Sequence, residues 1–225
     1  MNRTSNFVKF ALPLVLIAST GALASAAAPR NLETNALTVT VHIYDYAQVD
    51  SKSLLAAEKE TDAALATAGV TARWIDCPTS HSVVKDFPGC QSPSQFDDYT
   101  VVLLPNNMAG KLSNDPNVFA TETNESHRAA IFYDRISARA GGNAADTTLL
   151  AGRVMAREIG AMLVGRNAAA RAGILKSTWT ADDLSMQAGL HMGFTPQQAQ
   201  MMQARLIHDA RARQPQTQVA SSNAR

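Results

Sequence analysis

Between Leu149 and Trp179 the chain reads LLAGRVMAREIGAMLVGRNAAARAGILKSTW, and this stretch constrains the fold more than any other. Leu150, Val154, Ile159, Met162 and Leu163 recur at helical spacing, which predicts a long core helix. Asp146 or Thr147 is the expected N-cap, and Gly165 stands where the helix stops. A loop and a tight turn at Gly173-Ile174-Leu175 follow, then Trp179. Within the helix, Arg157 and Glu158 are adjacent charged residues. Taken alone, Glu158 reads as an ion-paired or solvated carboxylate, the usual state of such residues.

The order of residues in this stretch carries a second reading. Arg157-Glu158-Ile159-Gly160-Ala161 has the outline of the H-E-x-x-H zinc helix, in which two His at i and i+4 hold the metal beside a general-base Glu. Ile159, Gly160, Leu163, Gly165, Asn167 and Trp179 follow in register. The segment thus resembles the metzincin-type helix of small secreted bacterial zinc peptidases, which read H-E-I-G-H-L-L-L-G-x-N-x-H, then G-I-M and a tryptophan. The resemblance covers about the last third of the mature domain well and the rest loosely. It implies an α/β (α+β) zincin-like fold: a mixed sheet with a βαβ unit, a central active-site-type helix and C-terminal helices. It places the three zinc ligands at Arg157, Ala161 and Ala169, the general base at Glu158, and the methionine of the turn at Leu175.

Those three positions offer no ligand atoms. A catalytic zinc takes three protein ligands with lone pairs. Arginine has five donors and no acceptor, and alanine has neither. Zinc, the cofactor of the resembled family, therefore has no expected place here, and Glu158 alone cannot lower the pKa of a water. Rescue by His42, His127, His191 or His208 requires several of them to converge. The expectation is an exported, catalytically inactive peptidase-like domain, a pseudo-peptidase that binds a peptide or protein partner. The alternative is an active zinc-dependent peptidase using non-standard ligands around Glu158. Arg157 either supplies positive charge beside Glu158 or points to solvent. Adjacent helix positions lie about 100° apart, so a direct pair between them is not dictated.

Residues 1 to 28 read as a signal peptide: Arg3 and Lys9 supply a positive start, Phe10 to Ala18 an apolar stretch, and Ala22 to Ala28 several small-residue cleavage sites. That predicts a periplasmic or secreted protein with one domain over 29–213 and a disordered tail over 214–225. The apolar run is too short to span a bilayer. The chain has 20 Lys and Arg, two of them in the leader, against 19 Asp and Glu. No basic stripe suited to nucleic acid or to an anionic membrane stands out. Cys77 and Cys90 are the sole cysteines, an even pair that in an exported chain predicts a disulfide. The competing reading makes Cys77, His81 and Cys90 metal ligands, a spacing that lacks a fourth candidate.

Leu37 to Tyr44 alternates as a half-buried strand, and Asp50 or Ser51 opens a helix that Gly69 ends. Leu54, Leu55, Ala64, Leu65 and Ala68 are its expected apolar stripe, and Glu58, Lys59, Glu60 and Asp62 its solvated one. Val70 to Ile75 and Tyr99 to Leu104 are further strands, so the order predicts a βαβ unit and a mainly parallel sheet. Asn106 to Asn124 reads as an exposed loop, and Ala129 to Asp134 as a strand. In zinc peptidases of this shape the strand before the active helix lies at the sheet edge, where backbone groups pair with an extended peptide. Thr180 with Asp183 caps a short helix, and Thr195-Pro196-Gln197-Gln198 is a capping box opening a helix to about Arg213.

Overall fold

The computed structural model describes residues 37–80, 83–91, 98–123, 127–165, 168–180, 182–184 and 192–213. The leader, the tail, His81, Asn167 and His191 lie outside these residues. The elements are β1 (Leu37–Asp45), α1 (Ser51–Ala66), β2 (Val70–Cys77), α2 (Pro88–Gln91), β3 (Asp98–Leu104), α3 (Asn106–Ala109), β4 (Ala120–Thr123), β5 (Arg128–Phe132), α4 (Tyr133–Arg139), α5 (Ala144–Val164) and α6 (Pro196–Arg213). The sheet runs β2-β1-β3-β5-β4. Every pairing is parallel except β4 with β5. The class is mixed α/β with the expected β1–α1–β2 unit. Among the described residues, no helix is long and apolar enough to cross a membrane.

One face of the sheet presents Val39, Val41, Ile43, Val101, Leu103 and Ile131 to α1, α5 and α6. Helix α5 is the centre of that core: from Leu150 to Leu163 every residue but Arg157 is buried. Helix α1 approaches it so closely that a Cβ on Gly152 would lie 2.6 Å from the Ala57 carbonyl oxygen. The Thr61 hydroxyl donates across the contact to the Gly152 carbonyl at 3.0 Å. Arg153 is wholly buried beside it, with Nε 3.6 Å from Glu60 Oε1. This seating corrects the sequence reading of α1. Small Ala57, Thr61 and Ala64 take the buried face, so Leu55 turns out to 51% exposure and Glu58 turns in to 8%. Burial, then the nearby charges of Asp76 and Asp62, pushes the Glu58 carboxyl up to about 7.

The other face is covered in part by the segment that Cys77 and Cys90 close, and the two are disulfide-bonded as expected. Closing a loop of that size contributes roughly 3 kcal/mol in the chain-entropy account. The loop shields His42 of β1, and Tyr44 donates its hydroxyl to the Cys90 carbonyl at 3.2 Å.

Four boundaries differ from expectation. The region read as a loop over Asn106–Asn124 contains α3 and β4, and β4 is the sheet edge. β5 is therefore an inner strand, and Tyr133 and Asp134, read as its end, start α4. β4 spans four residues, ATET, too few to show a period against its polar surroundings. β2 runs on to Cys77, where the disulfide fixes its end. The cap of α5 is Asn143, whose side chain accepts from Asp146 N at 3.1 Å. Gly141 and Gly142, at φ 65° and 73°, turn the chain into that cap. The capping box of α6 forms as predicted: Thr195 N donates to Gln198 Oε1, and Gln198 N to Thr195 Oγ1.

Gly152→Ala tests the α1–α5 contact. Alanine is the better helix former by about 1 kcal/mol. Overpacking against a backbone carbonyl costs roughly 1–3 kcal/mol, so the clash prevails and the urea midpoint falls. An unchanged or higher midpoint would show that the two helices are free to separate.

Candidate functional site

Helix α5 carries Val154, Arg157 and Glu158 at i, i+3 and i+4, a single face. Gly165, at φ 81°, ends the helix with its N–H on the Ala161 carbonyl at 2.8 Å. The chain then folds back. Ala170 N donates to Leu175 O, Ser177 N to Ala170 O, and the Trp179 indole to Ile174 O at 3.1 Å. Ile174 and Leu175 of the expected turn are buried, and Gly173 has φ 72°. Gly160 leaves room for this arrangement: a Cβ there would lie 2.2 Å from the Phe194 ring and 3.4 Å from Leu175.

Between α5, this loop and the start of β4 lies a cleft of about 320 Å³. Its walls are Asn117 to Ala120, Val154, Arg157, Glu158, Lys176 to Trp179 and Leu184. Phe132 N bonds Phe119 O at 2.8 Å, and antiparallel hydrogen-bonded pairs alternate with unbonded ones. The backbone groups of Thr121 therefore face β5, and those of Ala120 and Glu122 face away from it, along the sheet edge. By the period of two, Glu122 projects on the same face as Ala120, which lines the cleft.

The electrostatics follow from burial. Glu158 has a side chain only 3% exposed, and it pairs directly with the neighbouring Arg157 guanidinium, itself 31% exposed. Both sequence alternatives for Arg157 hold in part: it is half-buried, and it compensates the carboxylate. Burial still holds the Glu158 carboxyl above the ordinary glutamate value, against the charge and hydrogen bond of Arg157. Burial likewise raises Glu122, helped by the Glu158 charge and opposed by Arg157. Glu122 Oε2 is buried without a hydrogen-bond partner among the described residues. At the rim, Lys176 Nζ bonds Asp183 Oδ2 at 2.7 Å. That ammonium, with the Thr180 amide and hydroxyl, holds Asp183 down to about 2.

Of the three positions that the resemblance makes zinc ligands, Arg157 alone lines this cleft. Ala161 is buried, and Ala169 is exposed in a separate hollow of about 590 Å³ with Thr195, Pro196 and Gln198. Three histidines lie elsewhere. His127 stacks on Tyr99, His208 is exposed on α6 beside Asp209, and His42 lies under the disulfide. Glu122, Phe119, Lys176 and Asp183 were not legible as site residues. Glu122 and Phe119 sit in the segment read as loop, and nothing in the sequence ties Lys176 or Asp183 to Glu158. Comparison of the chain with family models, with curated proteins and with solved structures gave no match.

The pair makes a pH-dependent prediction. A glutamate raised in the fold takes up a proton more readily there than in the unfolded chain. Its stabilising effect is complete below the ordinary value near 4.5 and is lost as pH rises through the raised one. Arg157→Ala lifts Glu158 further, so the loss at pH 7 grows. It stays below the roughly 3–5 kcal/mol of a fully buried broken pair, since Glu158 can protonate instead. Urea melts from pH 5 to 8 on the wild type, Arg157→Ala, Glu158→Gln and the double variant read this out. A coupling energy near zero at pH 7 would contradict the pairing.

Proposed function

We propose that this chain is an exported, catalytically inactive relative of the zinc peptidases that its α5 segment resembles, and that it binds extended peptides. The single observation supporting this is the β4 edge. It is an antiparallel edge strand, with the backbone groups of Ala120 and Glu122 turned outward, bordering the cleft that holds Arg157 and Glu158. Pairing with an extended peptide uses these backbone groups and needs no metal. At the three positions of the resemblance, Arg157, Ala161 and Ala169 offer nothing to a cation. The Arg157 guanidinium supplies Glu158 with the positive charge that a zinc ion supplies in an active enzyme. Glu158 is then a structural carboxylate.

The mature chain, with its disulfide closed, is expected to carry no stoichiometric zinc, to cleave no peptide and to select extended peptides from a displayed library. Ala120→Pro removes one outward N–H at the first residue of an edge strand, a place where proline is tolerated. It should weaken selected peptides by about tenfold, the value of one hydrogen bond, with little loss of stability. One equivalent of tightly held zinc with chelator-sensitive hydrolysis would overturn the inactive reading. Equal peptide affinity in Ala120→Pro would overturn the edge as the binding surface.

A further inference from the structure

The face of the sheet opposite α5 buries a histidine that the site above does not use. His42 is 2% exposed, and its Nε2 has no hydrogen-bond partner among the described residues. Its Nδ1 faces Cys77 Sγ at 3.7 Å, a weak contact for a disulfide sulfur. Nε2 points to the Asp98 carboxylate at 3.8 Å, beyond hydrogen-bond reach. Burying an imidazole so poorly bonded costs stability, and such groups call for an account. Cys90 completes the group: the donor atoms of His42, Cys77 and Cys90 all lie within 4.8 Å of one another, and all three residues are buried.

We propose that His42, Cys77 and Cys90 form a redox-gated site for a soft divalent d10 cation, Zn²⁺ in class, closed while the disulfide is intact. With Zn–S near 2.3 Å and Zn–N near 2.0–2.1 Å, ligands in tetrahedral array stand about 3.5–3.8 Å apart. Nδ1 and the Cys77 sulfur already have that separation. The Cα atoms of Cys77 and Cys90 are 5.7 Å apart, so rotation about their side-chain bonds turns a bonded pair into two chelating thiolates. A dithiol of the dithiothreitol class breaks the sulfur–sulfur bond by two-electron exchange. It leaves two protein thiols, and the reductant closes into its own disulfide. Zn²⁺ then displaces both thiol protons to water. Two thiolates cancel the charge of the divalent ion, which a buried site requires. The imidazole is the third ligand, and a water completes the set. Asp98, on the far side of the ring, is the positioning residue that accepts from Nε2–H and aims Nδ1 at the metal.

The test uses the full mature chain in two forms, disulfide-closed and dithiol-reduced under anaerobic conditions, each titrated with Co²⁺ and then Zn²⁺. The reduced form is expected to keep its circular dichroism spectrum. It should bind one Co²⁺ with an intense thiolate-to-cobalt charge-transfer band and release it to one equivalent of Zn²⁺. The closed form should give no such band. His42→Ala should weaken Zn²⁺ by more than tenfold. Asp98→Asn, which leaves every ligand in place, should weaken it by about 10–100-fold, the usual effect of losing an outer partner. Should His42→Ala fail to fold, Asp98→Asn carries the test alone. Three results would overturn the site: no charge-transfer band, loss of the fold on reduction, or Zn²⁺ affinity unchanged in the folded variants. The last would mean that two thiolates bind metal without the histidine.

Discussion

Helix α5 is buried almost all round, and the rest of the molecule is arranged to make that possible. A helix in this position can carry a charge only where another group neutralises it. Arg153, on the side facing α1, has Glu60 beside it, and Glu158, on the side facing the cleft, has Arg157. Gly152 lets α1 come near enough to deliver Glu60, and Gly160 makes room for Phe194 and for Leu175 of the 173–175 turn. The one break in burial between Leu150 and Leu163 falls at Arg157. The cleft is thus the place where the buried helix meets the surface, and its charge balance is set there.

The two faces of the sheet hold different chemistry. The α5 face places carboxylates in a desolvated setting with an arginine as counter-charge, and burial raises both Glu158 and Glu122. The other face holds the disulfide, with His42 and Asp98 beside it. Thr40 and His42 point to one side of β1, and Val39, Val41 and Ile43 point to the other. The period of two along a single strand therefore separates the two sites.

Much of this was legible in the sequence. The α5 pattern, its glycine stop and the α6 capping box rest on local rules that hold here, the βαβ unit follows from the order of strands and helix, and the disulfide from an even pair of cysteines. What was hidden depends on tertiary contact. Four residues cannot show the alternation of an edge strand, so β4 passed as loop, and with it Glu122. The rotation of α1 is set by a close approach at Gly152, and hydrophobic spacing favoured Leu55 over Ala57. The three positions that the resemblance makes zinc ligands part company in the structure: Arg157 lines the cleft, Ala161 is buried and Ala169 lies in another hollow.

Arginine is the counter-charge that keeps Glu158 in this fold. Carbon-13 NMR of the labelled glutamate carboxyl, followed through a pH titration in the wild type and in Arg157→Ala, measures that directly. Glu158 is expected to titrate above the ordinary glutamate value in the wild type and to move higher still without the guanidinium. A carboxyl that titrates at the ordinary value, or one indifferent to the loss of Arg157, would contradict it.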